Sequence, residues 1–243
     1  MERSCQLLGG VNLAVDYQKM KDAYYGTGGY ENGSYLKKHP RESETKYENR
    51  KEVSYYLNYV APTVDGHINP IFREPATRDW KGSVSDLWQL FSEDADCAGT
   101  SISDFMKMAS LPAKLYGVSF IVVDNFEVKN QPTNKEDVII QRIMPYAYVI
   151  TPDKVKKYEI DRMGRLLSIT FSEDPDEDIN TEEELVYRTL TATEWKVTDE
   201  GGETIHKQGT HNLGIVPVVP LLSRKQKLDK ELPSSEFNAI IRT

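Results

Sequence analysis

Hydrophobic spacing switches at Gly117, and that switch limits the fold more than any other feature of the chain. Ahead of it, Ile102, Phe105, Ala109, Ala113 and Tyr116 recur at steps of three and four, which is one face of a helix. Directly after it, residues 118–123 form a β-branched and aromatic run, the composition of a buried strand. Gly117 suits the left-handed residue that closes a helix, so helix must pass into strand with no linker. Ser101-Ile102-Ser103-Asp104 resembles a capping box at the helix start, and Pro112 inside the helix predicts a bend.

Helical signals dominate the chain before this junction. Pro40 suits a first helical position, and residues 41–52 alternate charge sign at helical spacing. A long helix is predicted over about 40–60, with Tyr47, Tyr55, Tyr56, Tyr59 and Val60 on its buried or contacting face. Pro62 should kink or break it, residues 63–71 should form a second helical piece, and residues 85–91 a short third one. Pro75 between them marks an extended connection. After the junction the pattern becomes period two with hairpin turns. Strands are predicted near 138–143, 146–150, 158–161, 166–171, 185–190, 194–198, 204–207 and 215–222. Turns fall at Arg162-Met163-Gly164 and Glu200-Gly201-Gly202. Helices first and antiparallel strands second make an α+β fold, not a βαβ alternation.

The predicted organisation is a flexible N-terminal arm over 1–38, an α+β body over 39–222 (helical 39–117, β-rich 118–222), and a charged linker from 223 leading into a helix capped by Ser234 or Ser235. The helical and β-rich parts are consistent with one domain or with two. The longest apolar runs, 117–123 and 214–222, fall well short of the roughly 20 residues that cross a bilayer, and the first ten residues lack a signal-peptide pattern. No membrane partner is expected.

Charge is concentrated in one place. The net charge is −8, and residues 172–184 hold eight acids and no base. Without them the chain is neutral, with 30 acids against 30 bases. The segment reads as a solvated connection between strands, since it lacks the glycine turn and spaced ligands of a calcium loop. No basic stripe points to sequence-specific nucleic-acid binding. Cys5 and Cys97 stand alone in the sequence, as reduced thiols would.

Motifs for chemistry are missing. No His-Glu-x-x-His, paired-cysteine or Gly-x-Ser-x-Gly pattern occurs. His206 and His211 flank a turn without further metal ligands, and Asp65-Gly66-His67 reads as a structural polar cluster. Gly26-Thr27-Gly28-Gly29 follows no strand and precedes no Gly-Lys-Ser/Thr, so it does not read as a phosphate loop. The sequence therefore predicts no catalytic residue, no metal site and no cofactor. Tyrosine is the one unusual count, 14 of 243. Tyrosine is enriched at protein contacts, which makes Tyr24, Tyr25, Tyr30 and Tyr35 the candidate protein interface.

Several segments, in order, resemble the portal proteins of tailed bacteriophages, in the branch described as a portal-like domain of unknown function. They are His39-Pro40-Arg41-Glu42-Ser43-Glu44 with Tyr47-Glu48-Asn49-Arg50; Thr63-Val64-Asp65-Gly66 with Ile71-Phe72-Arg73-Glu74-Pro75; Ala95-Asp96-Cys97-Ala98-Gly99-Thr100-Ser101; Leu115-Tyr116-Gly117 before a strand ending in Asp124; Pro145-Tyr146 and Ile150-Thr151-Pro152; and His211-Asn212-Leu213-Gly214-Ile215-Val216-Pro217-Val218-Val219. The set extends from about residue 35 to residue 238.

The resemblance implies a structural subunit of a head–tail connector ring, usually of twelve copies, at one capsid vertex of the virion, made in the host cytoplasm. DNA would be packaged and ejected through the ring without sequence-specific binding. The implied partners are further copies of the chain, the major capsid protein, the terminase motor and head–tail adaptors. Family subunits run well beyond 243 residues, so this chain looks like their N-terminal, wing-like part, truncated before the stem. Two other functions fit the residues: a different virion or adaptor protein acting as an interaction module, and a metal-dependent hydrolase using the acidic segment.

Overall fold

The computed structural model describes residues 16–79, 82, 85–125, 143–175 and 185–237. Among these residues, five α-helices and two antiparallel sheets make a mixed α+β architecture, helices first. The helices are α1 (Tyr17–Tyr25), α2 (Glu44–Val53), α3 (Val60–Ile68), α4 (Asp86–Glu93) and α5 (Ile102–Tyr116). The strands are β1 (Val118–Asp124), β2 (Tyr146–Ile150), β3 (Val155–Ile160), β4 (Leu166–Glu173), β5 (Val186–Thr191), β6 (Glu194–Thr198), β7 (Ile205–Thr210) and β8 (Val218–Leu222).

The junction at Gly117 forms as its residues require. Ser101 caps α5, accepting from the Asp104 amide at 3.2 Å and bonding the Asp104 carboxylate at 2.7 Å. Gly117 closes the helix at φ +100°, and α5 runs through Pro112 as one element. β1 is the middle strand of the three-stranded sheet, in the order β2-β1-β8. Its alternate residues serve two cores. Val118, Phe120 and Val122 face Ile169 and Phe171 of β4 and Leu190 of β5. On the other face, Ile121 packs with Phe105 of α5 and Phe91 of α4, and the Ser119 hydroxyl, fully buried, donates to the Ala109 carbonyl at 2.9 Å. The run reads as continuously apolar because both faces are covered. The layers are thus helices, three-stranded sheet, and the five-stranded meander β3-β4-β5-β6-β7.

Three expectations change. The helix expected over 40–60 is two helices separated by residues 54–59, a stretch rich in tyrosine, which has a lower helix propensity than alanine or leucine. Asn58 accepts from the Ala61 amide at 3.0 Å, so α3 starts there. Pro62 then lies in the first turn, where its missing N–H costs nothing, instead of breaking a longer helix. Residues 16–38, read as part of a flexible arm, fold onto α3 and α5: Met20 and Ala23 of α1 are buried with Val64, Leu115 and Tyr116. The chain from 223, read as a linker, returns across the body. Leu228 enters the core between the sheets and Phe237 enters the α1–α3–α5 cluster. The strand expected at 138–143 falls on residues outside the described ones apart from Ile143, which is in no strand; the helix after Ser235, Cys5 and most of the acidic segment also lie outside them.

Candidate functional site

The four candidate tyrosines sit together around the end of α1, but in different environments. Asp22 organises them. Buried in α1, it accepts from Gln18 Nε2 at 2.8 Å, Thr27 Oγ1 at 3.3 Å and the Tyr35 hydroxyl at 2.6 Å. Tyr35 stacks edge-on with Tyr30, whose ring lies 4.1 Å from that of Tyr56. Tyr24 donates to the Asp65 carboxylate of α3 at 2.7 Å. So Tyr24 and Tyr30 hold the N-terminal segment to the body, Tyr35 closes that segment on itself through Asp22, and only Tyr25 of the four is largely exposed. The glycine cluster serves the same network. A Cβ on Gly28 would lie 2.3 Å from Asp22 Oδ2, and one on Gly29 would lie 2.5 Å from the Tyr35 ring. These glycines make room for a carboxylate and an aromatic ring.

Asp22→Ala would leave the half-buried Tyr35 hydroxyl without its acceptor, while the exposed Gln18 and Thr27 can turn to water. Such a change is expected to lower stability by about 2 kcal/mol, read by urea denaturation; a loss within error of zero would remove Asp22 from this role. The ring hydroxyls give a second test. Burial, aided for Tyr24 by its bond to Asp65, pushes Tyr17, Tyr24, Tyr30 and Tyr116 up to about 12. Burial also raises Tyr35, Tyr56 and Tyr148. A raised folded pKa means the protonated form is favoured by folding. Its stabilisation is complete below about pH 10 and is lost as pH climbs through about 12. Absorbance at 295 nm should therefore keep rising above pH 11 in the folded protein, and this late phase should vanish in urea.

The outward surface lies beside this network. Residues 54–59 belong to no helix or strand, and their side chains alternate. Tyr56 donates to the Ala23 carbonyl at 2.9 Å and Asn58 to the Tyr24 carbonyl at 2.7 Å, so both point inward. Between them, Val53, Tyr55, Leu57 and Tyr59 point outward, each more than half exposed, with Tyr55 at 85%. Sequence reading placed Tyr55 and Tyr59 on a helix face and missed Leu57. The signal was there as a period of two, apolar at 53, 55, 57 and 59.

The segment that begins the family resemblance braces the entry to α2. Arg50 of α2 grips Glu42 with two bonds of 2.9 and 2.7 Å and the Lys37 carbonyl with a third of 2.9 Å. Its hydrogen bonds hold the Glu42 carboxyl down at about 2. Tyr47 donates to the Leu36 carbonyl at 2.7 Å.

Asp65 and His67, close in sequence, bind different partners. His67 Nδ1 meets the Thr63 carbonyl at 2.6 Å while Asp65 is engaged by Tyr24, so they form no dyad. Among the described residues no three His, Cys, Asp or Glu side chains are grouped to hold a metal ion. Arg188 of β5 bonds Glu173 of β4 at 2.7 Å and Asp124 of β1 at 2.9 Å, with the Trp195 ring 5.6 Å from its guanidinium. Burial works against its charge, yet the Glu173 carboxylate, Tyr148 and Asp124 together outweigh that and raise its pKa. This cluster joins the two sheets. Among the described residues no helix is long and apolar enough to cross a membrane. No family model and no curated protein sequence matches the chain.

Proposed function

We propose that the chain is a structural subunit of a portal-type ring at a phage capsid vertex, acting through protein contacts and passing DNA without reading its sequence. The observation that carries this reading is the outward ridge at 53–59. Four apolar side chains are held in solvent by the inward bonds of Tyr56 and Asn58. Apolar area presented on a braced segment serves protein contact, and copies joined through unlike surfaces form a ring where the rotation between them closes. The ordered segments from His39 to Val219 supply the family. Its implied partners are other copies, the major capsid protein, the terminase and head–tail adaptors.

The test is the mass of the complete gene product by light scattering, with mass spectrometry of purified particles. A discrete ring of about a dozen copies and presence in the virion are expected. A monomer at millimolar concentration that still appears in particles would favour the adaptor reading. A protein missing from particles would end both.

A further inference from the structure

A second outward segment lies at the other end of the chain. Leu213, Ile215 and Val219 are each more than half exposed, while Val216 and Val218 between them are buried in the core between the sheets. Beside it opens a cleft of about 450 Å³ lined by Thr193, Glu194, Thr210, His211, Asn212 and Gly214. We propose that residues 53–59 of one copy dock on residues 213–219 of a second copy, with Tyr55 seated in that cleft. This rests on the ring reading and names the surfaces that would join its subunits.

Shape and chemistry match the two segments. Both are apolar segments of seven residues: Val53, Tyr55, Leu57 and Tyr59 are exposed on one, and Leu213, Ile215 and Val219 on the other. One carries a projecting aromatic ring and the other a recess of a volume that accepts one. A tyrosine anchored in a pocket is a recurrent centre of binding energy, and Glu194 with the two threonines offers acceptors to the phenol.

Area points the same way. The ridge exposes on the order of 500 Å² of largely apolar side-chain surface at roughly 200 Å² per full aromatic side chain. That lies in the upper part of the range that monomers leave bare and is over half of the ~800 Å² that each side of a stable interface buries. Because the two surfaces differ, the contact is head to tail. Each copy keeps one ridge and one cleft free for further copies.

Sedimentation velocity on the full chain tests this with two exposed-site variants, Tyr55→Glu and Ile215→Glu, checked for unchanged thermal melting. Leu57→Glu and Leu213→Glu stand in if either misfolds. The wild type should gain mass with concentration, and each variant alone should lose roughly tenfold or more in association, as expected for a central contact. A one-to-one mixture should form dimers and nothing larger, since one intact ridge meets one intact cleft. If either variant alone assembles like the wild type, or the mixture stays monomeric, the docking is wrong and the ring reading survives. A wild type that never associates overturns the docking, while the ring reading stands or falls with the complete gene product.

Discussion

Arg188→Ala is expected to cost the fold about 3 kcal/mol, in the range for removing one partner of a buried ion pair. The guanidinium lies between Asp124 at the end of β1 and Glu173 on β4, and its side chain is only 14% exposed. Removing it leaves two carboxylates facing each other without their cation, at the place where one sheet is fastened to the other. The triple variant Asp124→Asn, Glu173→Gln, Arg188→Met removes every charge together and should recover most of the loss. Urea denaturation of the three proteins reads the difference. If Arg188→Ala costs less than about 1 kcal/mol, the cluster behaves as an ordinary surface pair and the sheets are held by the apolar core alone.

Gly117→Ala should do comparable damage for a different reason. Gly117 sits at φ +100°, and an added Cβ would come within 2.5 Å of the Pro233 carbonyl oxygen, a backbone atom that cannot swing away. Gly202→Ala is the control. It also has positive φ, +76°, but its Cβ would meet nothing within 4 Å. The control isolates backbone strain of about 1–2 kcal/mol. Gly117→Ala adds displacement of the returning chain and should total about 3 kcal/mol or more. Equal effects at the two glycines would show that the chain at 233 yields freely.

These two positions also show what the sequence makes legible. The α5–β1 junction could be read because its determinants are local: a serine cap, a stepped apolar face, a closing glycine and a β-branched run. The meander could be read because two of its turns, at Gly164 and at Gly201-Gly202, carry their own glycines. The α1 helix could not, because its burial depends on partners distant in the chain, such as Tyr24 with Asp65, 41 residues away. The chain after 223 could not, because Leu228 and Phe237 are isolated apolar residues among charges and carry no period. The tyrosine site was half legible. Composition marked Tyr24, Tyr25, Tyr30 and Tyr35, but only bonding geometry separates the three that brace the N-terminal segment from the one that faces out. The ridge at 53–59 was hidden by reading a helix through it, when Asn58 and Pro62 place the helix start later.

The returning C-terminal segment bears on how the protein is made. Lys114 is bound to Glu236 at 2.7 Å across 122 residues of sequence, and Ser223 donates to the Gly117 carbonyl at 3.0 Å. A ribosome releases Met20, Val64 and Leu115 long before Phe237, the residue that completes their cluster. Contacts of such long separation form late, and synthesis proceeds at several residues per second. The helical part therefore waits for seconds with an unfilled apolar socket. During that interval a nascent chain is most exposed to chaperones and to its neighbours on the same message.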